Sequence, residues 1–151
     1  MLFCNIDLLD ENFALKRGQY VGVKDGKIAY IGDTEPQEDY GERYDGRHRL
    51  LMSGFYNVHS HAPMTLLRGY ADDMELFTWL NDYIWPAEAK LTDEDGFCGT
   101  RLAILELRRS GTVVFSDLYW HQRGAVRAAE EMGVRAAIGL LYLSGSDGEV
   151  L

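Results

Sequence analysis

From Gly54 onward the sequence alternates short apolar runs with helical patterns, and this alternation restricts the fold more than any other feature. Phe55-Tyr56-Asn57-Val58, Thr112-Val113-Val114-Phe115-Ser116 and residues 134–141 read as strands. The last two are nearly continuous apolar runs, as buried parallel strands are. Between the first and second, residues 75–83 have helical spacing, with Leu76, Leu80 and Ile84 on one face and Trp79 near it, until Pro86 interrupts. A second helix starts at Thr92, an N-cap followed by Asp93, Glu94 and Asp95, and stops at Arg108-Arg109-Ser110-Gly111. It carries Cys98, Leu102 and Leu105 at i, i+4 and i+7. Before the third strand, Ala125, Val126, Ala129 and Met132 line a helix face that Gly133 ends. Strand, helix, strand, helix, strand predicts a parallel sheet with right-handed crossovers, an α/β fold.

The first 52 residues are different in kind. Residues 2–9 read as a strand, and Asp25-Gly26 between Gln19-Tyr20-Val21-Gly22-Val23-Lys24 and Lys27-Ile28-Ala29-Tyr30-Ile31 is a strong hairpin signal, because a type I′ turn needs positive φ at both central residues. Residues 32–46 are polar and turn-rich, and Arg49-Leu50-Leu51-Met52 is a further short strand. Two domains are expected, a partial β-unit over 1–52 and an α/β part over 53–151, with residues 144–151 a trailing loop. Three parallel strands do not close on themselves, and a (β/α)₈ barrel takes about 250 residues. Either these strands form a smaller open sheet or the sequence is the first part of a longer protein, and the second is the favoured expectation.

The first apolar run ends in His59-Ser60-His61. Side chains two apart on a strand share a face, roughly 6.6 Å apart along the backbone. Both imidazoles can then reach one ion at Zn–N distances of about 2.0–2.1 Å. Surface histidines on a loop, or one buried and hydrogen-bonded, would also satisfy this spacing. The position favours a metal, since function in strand–helix folds gathers at the carboxyl ends of strands.

Bulk properties exclude several classes. A formal net charge of −9 argues against a nucleic-acid backbone as partner. Cys4 and Cys98 form no CxxC pattern, so free, buried thiols in a reducing compartment are expected. Asn5, Asp7 and Asp10 stand where a signal peptide would be basic and then apolar, and no run approaches the about 20 apolar residues of a membrane span. A cytoplasmic protein is expected.

Several motifs follow one another in register. They are Gly54-Phe55-Tyr56-Asn57-Val58-His59-Ser60-His61, Met64, Leu66-Leu67-Arg68-Gly69, Ala71-Asp72-Asp73, Leu76 with Trp79-Leu80, Ile84-Trp85-Pro86 with Glu88, and Ser110-Gly111-Thr112 with Asp117. Together they resemble the amidohydrolase superfamily, in particular its branch of adenosine-derivative and guanine deaminases and triazine chlorohydrolases. The resemblance implies the first three strands of a (β/α)₈ TIM barrel, preceded by part of a small β-sandwich. It implies one divalent metal, zinc or iron, held by His59 and His61, which activates water to displace an amino or similar group from an aromatic heterocycle such as a purine nucleoside. By the same resemblance Trp79 packs against the substrate and Glu88 accepts hydrogen bonds from ribose hydroxyls; on the residues alone, Trp79 reads equally as core and Glu88 as a solvated helix residue.

The family's later parts, two histidines, a glutamate acid/base and an aspartate ligand, have no counterpart here, so no catalytic residue is assigned within the chain. His48 precedes the motif, and His121 falls where the family places no ligand. Ser53 stands where proline is common. Leu141-Tyr142-Leu143-Ser144-Gly145 offers no arginine for a substrate carboxylate, which weakens an adenosylhomocysteine reading. Trp85 is expected in the core, Arg68, Asp72 and Asp73 as loop-ordering residues, and Asp117 in a structural hydrogen bond. Zinc deaminases built on HxE with PCxxC are excluded, since neither pattern occurs. The expected partners are a small heterocyclic substrate and further copies of the chain. The alternative from another class is a short non-catalytic protein that keeps the motif and oligomerises or binds a partner chain.

Overall fold

The computed structural model describes residues 1–141, which fall into two compact units divided between Ser53 and Gly54. In the first, β1 (Leu2–Leu9) buries Leu2, Cys4, Ile6 and Leu8 at strict period two. It pairs antiparallel with β2 (Leu15–Lys24), which pairs antiparallel with β3 (Lys27–Gly32). Asp25 and Gly26 both take positive φ, 51° and 71°, as the hairpin requires. On its other side β1 pairs parallel with β4 (Arg43–Asp45) and β5 (Leu50–Leu51). The sequence reading had only turns where β4 lies. Its three side chains are all exposed, so no apolar pattern marks it, and only backbone pairing to β1 makes it a strand.

In the second unit β6 (Phe55–Asn57), β7 (Thr112–Leu118) and β8 (Arg135–Gly139) form a parallel sheet in that order. The chain is thus α/β. Helical turns α1 (Leu76–Thr78) and α2 (Trp85–Glu88) and the long helix α3 (Asp93–Arg109) lie between β6 and β7, and α4 (Gln122–Glu131) lies between β7 and β8. Thr92 and Asp95 form a capping box, each accepting the other's backbone N–H, worth about 1 kcal/mol. Past the helix, Gly111 takes φ 81°, a conformation costly for other residues. The core gathers Phe97, Ala103, Ile104, Phe115, Ala128 and Ala129, with Phe115 at the centre of the sheet and fully buried.

Several expectations fail here for identifiable reasons. Pro86 does not interrupt the helical run. Residues Trp79–Ile84 form a π-helical turn that leads directly into α2, and Trp85 donates to the Leu80 carbonyl five residues back. The wider turn relieves the clash between a proline ring and the carbonyl four residues before it. Residues 62–73, read as loop, begin with a 3₁₀ helix, Ala62–Leu67, started by Pro63 and buried there at Ala62 and Pro63. In α3 the face of Cys98, Leu102 and Leu105 is exposed, and the buried stripe is Gly96, Phe97, Gly99, Thr100, Ala103 and Ile104. Cys98 is therefore a free but not a buried thiol; Cys4 is buried. Trp85 is exposed rather than in the core, and so is Val126 on α4. Leu76 is also exposed, whereas Ile84 is buried. β8 is half-buried in alternation, shorter than the buried run expected over 134–141. Among the described residues no helix is long and apolar enough to cross a membrane.

Small residues decide that choice of face. A Cβ on Gly124 of α4 would lie 2.2 Å from the Asp93 carbonyl oxygen and 2.6 Å from the Phe97 nitrogen, both rigid backbone atoms of α3. A Cβ on Gly99 would meet the Pro63 carbonyl at 2.6 Å. The glycines let α4 and the 3₁₀ helix approach the α3 backbone, and the larger apolar residues of α3 turn elsewhere. Gly124→Ala is expected to lower unfolding free energy by about 2–3 kcal/mol, from the strain of an overpacked contact, as read from a denaturant titration.

Candidate metal centre

β6 ends at Asn57, whose side-chain oxygen accepts the His59 N–H at 3.2 Å and turns the chain out of the sheet. The loop that follows is stitched to the carboxyl end of β7. The Ser60 hydroxyl forks between the Ser116 carbonyl at 2.7 Å and Asp117 Oδ1 at 3.0 Å. The Ser60 carbonyl accepts the Leu118 N–H at 3.2 Å. The Ala62 N–H donates to Asp117 Oδ1 at 2.6 Å, which satisfies a free donor at the start of the 3₁₀ helix. Asp117, expected in a structural hydrogen bond, therefore makes two. It is almost wholly buried, and that burial pushes its carboxyl above the usual range despite the opposing Ala62 and Ser60 bonds.

This stitching fixes His61. Its Nδ1 lies 2.6 Å from the Leu118 carbonyl oxygen, which can only accept, so Nδ1 carries the proton and Nε2 keeps its lone pair. A metal-binding imidazole is commonly held in this way. The His59 and His61 ring centroids are 5.0 Å apart with planes at 77°. At a Zn–N distance of about 2.0–2.1 Å, two imidazoles at a near-tetrahedral angle would have centroids roughly 5 Å apart. The centroid separation of the pair is the one a shared divalent ion would require. Among the described residues no third His, Cys, Asp or Glu joins them.

The other two site residues fall differently. Glu88 closes α2 and is buried, accepting from Tyr119 Oη at 2.5 Å and from Trp120 Nε1 at 2.9 Å. Tyr119 also lies beside His61, with ring centroids 5.9 Å apart. Burial, then the bond to Glu88, pushes the Tyr119 phenol up, so it remains a donor. Trp79 opens the π-helical turn, half-buried, and among the described residues no hydrogen bond or ring contact joins it to the histidines. His121 stands apart, at φ 59° before α4, with Nδ1 3.0 Å from the Asp93 carboxylate. Arg68 pairs with Glu106 through both guanidinium nitrogens, ordering the loop as expected. The run at 142–145, where an arginine was sought, lies outside the described residues. Sequence reasoning missed Tyr119 and Trp120. The available signal was two aromatic residues with polar tips directly after a strand that ends at the functional face.

Residues 50–149 match the model of the amidohydrolase family. A 5′-deoxyadenosine deaminase of Methanosarcina barkeri is 47% identical over 131 residues, 85% of this chain and 30% of that protein. A 5-methylthioadenosine/S-adenosylhomocysteine deaminase of Halothermothrix orenii is 36% identical over 156 residues, 99% of this chain and 36% of that protein. The chain thus spans about a third of the length of the curated relatives it matches. A crystal structure of an adenosine deaminase from Xanthomonas campestris with bound zinc aligns at TM-score 0.71 and 30% identity, over 89% of this chain and 32% of that one. The parallel sheet with its histidine loop locked to the second strand and a match running from β5 past β8 lead to one assignment: this chain belongs to the amidohydrolase family.

Proposed function

We propose that this chain carries the first part of a metal-dependent hydrolase that removes the amino group of an adenosine derivative altered at its 5′ position. His59 and His61 are two of the metal's ligands. β6, β7 and β8 are the first three strands of a (β/α)₈ barrel, the domain over 53–151, and residues 1–52 are part of a small β-sandwich. The observation that carries the reading is the His61 Nδ1–H bond to the Leu118 carbonyl, with the His59 ring 5.0 Å away. The names of the curated relatives support the substrate class, since the compounds they act on differ mainly at the 5′ carbon. A cytoplasmic setting accompanies this reading.

His59 and His61 would hold a divalent metal, zinc or iron, which when bound would acidify water to a pKa of roughly 7. The chain's residues prepare for that chemistry. Asp117 and Ser60 hold the histidine loop, and the Leu118 carbonyl keeps His61 in the tautomer with a free Nε2. Glu88 accepts the ribose hydroxyls, and Trp79 packs against the substrate. The proton for the leaving amine comes from an acid/base that the family resemblance places later in such proteins.

The whole protein is expected to release ammonia from 5′-deoxyadenosine or 5′-methylthioadenosine and to hold about one metal per chain. His59→Ala is expected to lose the metal and at least about 100-fold in rate. Full turnover with metal retained in that variant would remove His59 from the site. Asp117→Ala is expected to weaken metal affinity about 10–100-fold, measured by competition with a chelator, and Asp117→Asn much less, because its amide oxygen still accepts the Ala62 N–H.

A second reading rests on β6. Phe55 and Tyr56 on β6, an edge strand of the sheet, and Val58 just beyond it are 55%, 64% and 81% exposed, an apolar surface that a second copy could cover. A metal-free chain that sediments as a stable oligomer and releases no ammonia would favour a non-catalytic homo-oligomer. A monomer would exclude it.

A further inference from the structure

Glu88 is only 8% exposed, and both of its carboxylate oxygens are already engaged from the protein side, Oε1 by Tyr119 and Oε2 by Trp120. The two donors sit 31 and 32 residues away in sequence and next to each other on the segment leaving β7. We infer that Tyr119 and Trp120 are positioning residues that hold Glu88 as a two-pronged acceptor and so select substrates with an intact vicinal diol. The inference rests on the reading above, in which Glu88 meets the ribose hydroxyls.

A carboxylate has about four acceptor positions, two on each oxygen. Tyr119 takes one on Oε1 and Trp120 one on Oε2, so one remains on each. Two free positions on adjacent oxygens match two neighbouring hydroxyls, one donated to each. A sugar lacking either hydroxyl leaves one position without a partner in a largely dry site, where a missing bond costs most.

The polarity of this network cannot invert. An indole N–H only donates, so Glu88 Oε2 accepts from Trp120, and the Tyr119 hydroxyl lies 2.5 Å from Oε1. Glu88 is thereby kept as an acceptor, with the torsions of its flexible side chain already ordered before any sugar arrives. The same strand end serves the other half of the site, because the Leu118 carbonyl that orients His61 is the residue directly before Tyr119. Three consecutive residues therefore fix the spacing between the histidine pair and the diol acceptor.

The test compares adenosine with 2′-deoxyadenosine in the whole protein, using Tyr119→Phe and Trp120→Phe, each of which keeps its ring and removes its donor. Each variant is expected to raise KM for adenosine about tenfold, with the loss in KM rather than in kcat. KM for 2′-deoxyadenosine should change far less, so the preference for the ribonucleoside shrinks. In a Glu88→Gln background the same substitutions should add almost nothing, because they act through Glu88. Equal losses for both nucleosides, or full additivity with Glu88→Gln, would overturn the positioning role and leave a structural one. Should one variant fail to fold, the other decides alone by the same comparison. If the unmutated protein deaminates no nucleoside, the proposed function falls and this inference with it. If it deaminates both with the same KM, only this inference falls.

Discussion

The buried carboxylate of Asp117 carries the geometry of the second unit. One of its oxygens accepts the Ala62 N–H and the Ser60 hydroxyl, and these two bonds draw the chain leaving β6 against the end of β7. With the loop so placed, the Leu118 carbonyl meets His61, and Ala62 and Pro63 enter the core at the head of the 3₁₀ helix. Gly99 then lets α3 settle on Pro63, and Gly96 and Gly124 let the start of α4 settle on α3. Removing that carboxylate would leave the Ala62 N–H unpaired in a place that water reaches poorly, a cost of about 1–3 kcal/mol, while the Ser60 hydroxyl would keep the Ser116 carbonyl.

Asp117 also carries a desolvation cost for its charge. Its carboxyl is raised, chiefly by burial, so the desolvation of its charge outweighs the two hydrogen bonds and the nearby His61. The folded chain binds this proton more tightly than the unfolded chain does. The contribution of Asp117 to stability is therefore largest below the ordinary value of 3.8 and falls as pH rises through the raised value. The bonds this buried charge accepts place the histidine loop.

Local features of the fold were legible in the sequence. The Asp25-Gly26 hairpin, the Thr92 cap, the Gly111 stop and the three parallel strands each follow from a few neighbouring residues. What escaped depends on partners far away in the chain. The buried face of α3 was set by glycines that admit α4 and the 3₁₀ helix, so a spacing of larger apolar residues pointed to the wrong side. Pro86 was read as a break because a proline signals one, and a π-helical turn absorbed it. The histidine pair was visible as a motif. The support for Glu88 was not, since Tyr119 and Trp120 meet it across more than thirty residues.

The two halves of the candidate site differ in completeness, and the difference has a mechanistic meaning. The acceptor at Glu88 is finished within this chain, with its rotamer held and its remaining acceptor positions defined. The histidine pair is not, because a catalytic zinc generally takes three protein ligands and an open position. On the proposed reading, this chain supplies sugar recognition that is nearly the same in the ground state and in the transition state. Uniform binding of this kind lowers KM and does little for kcat. The link between the two halves is structural: residues 118 to 120 carry both the carbonyl that meets His61 and the two donors that hold Glu88.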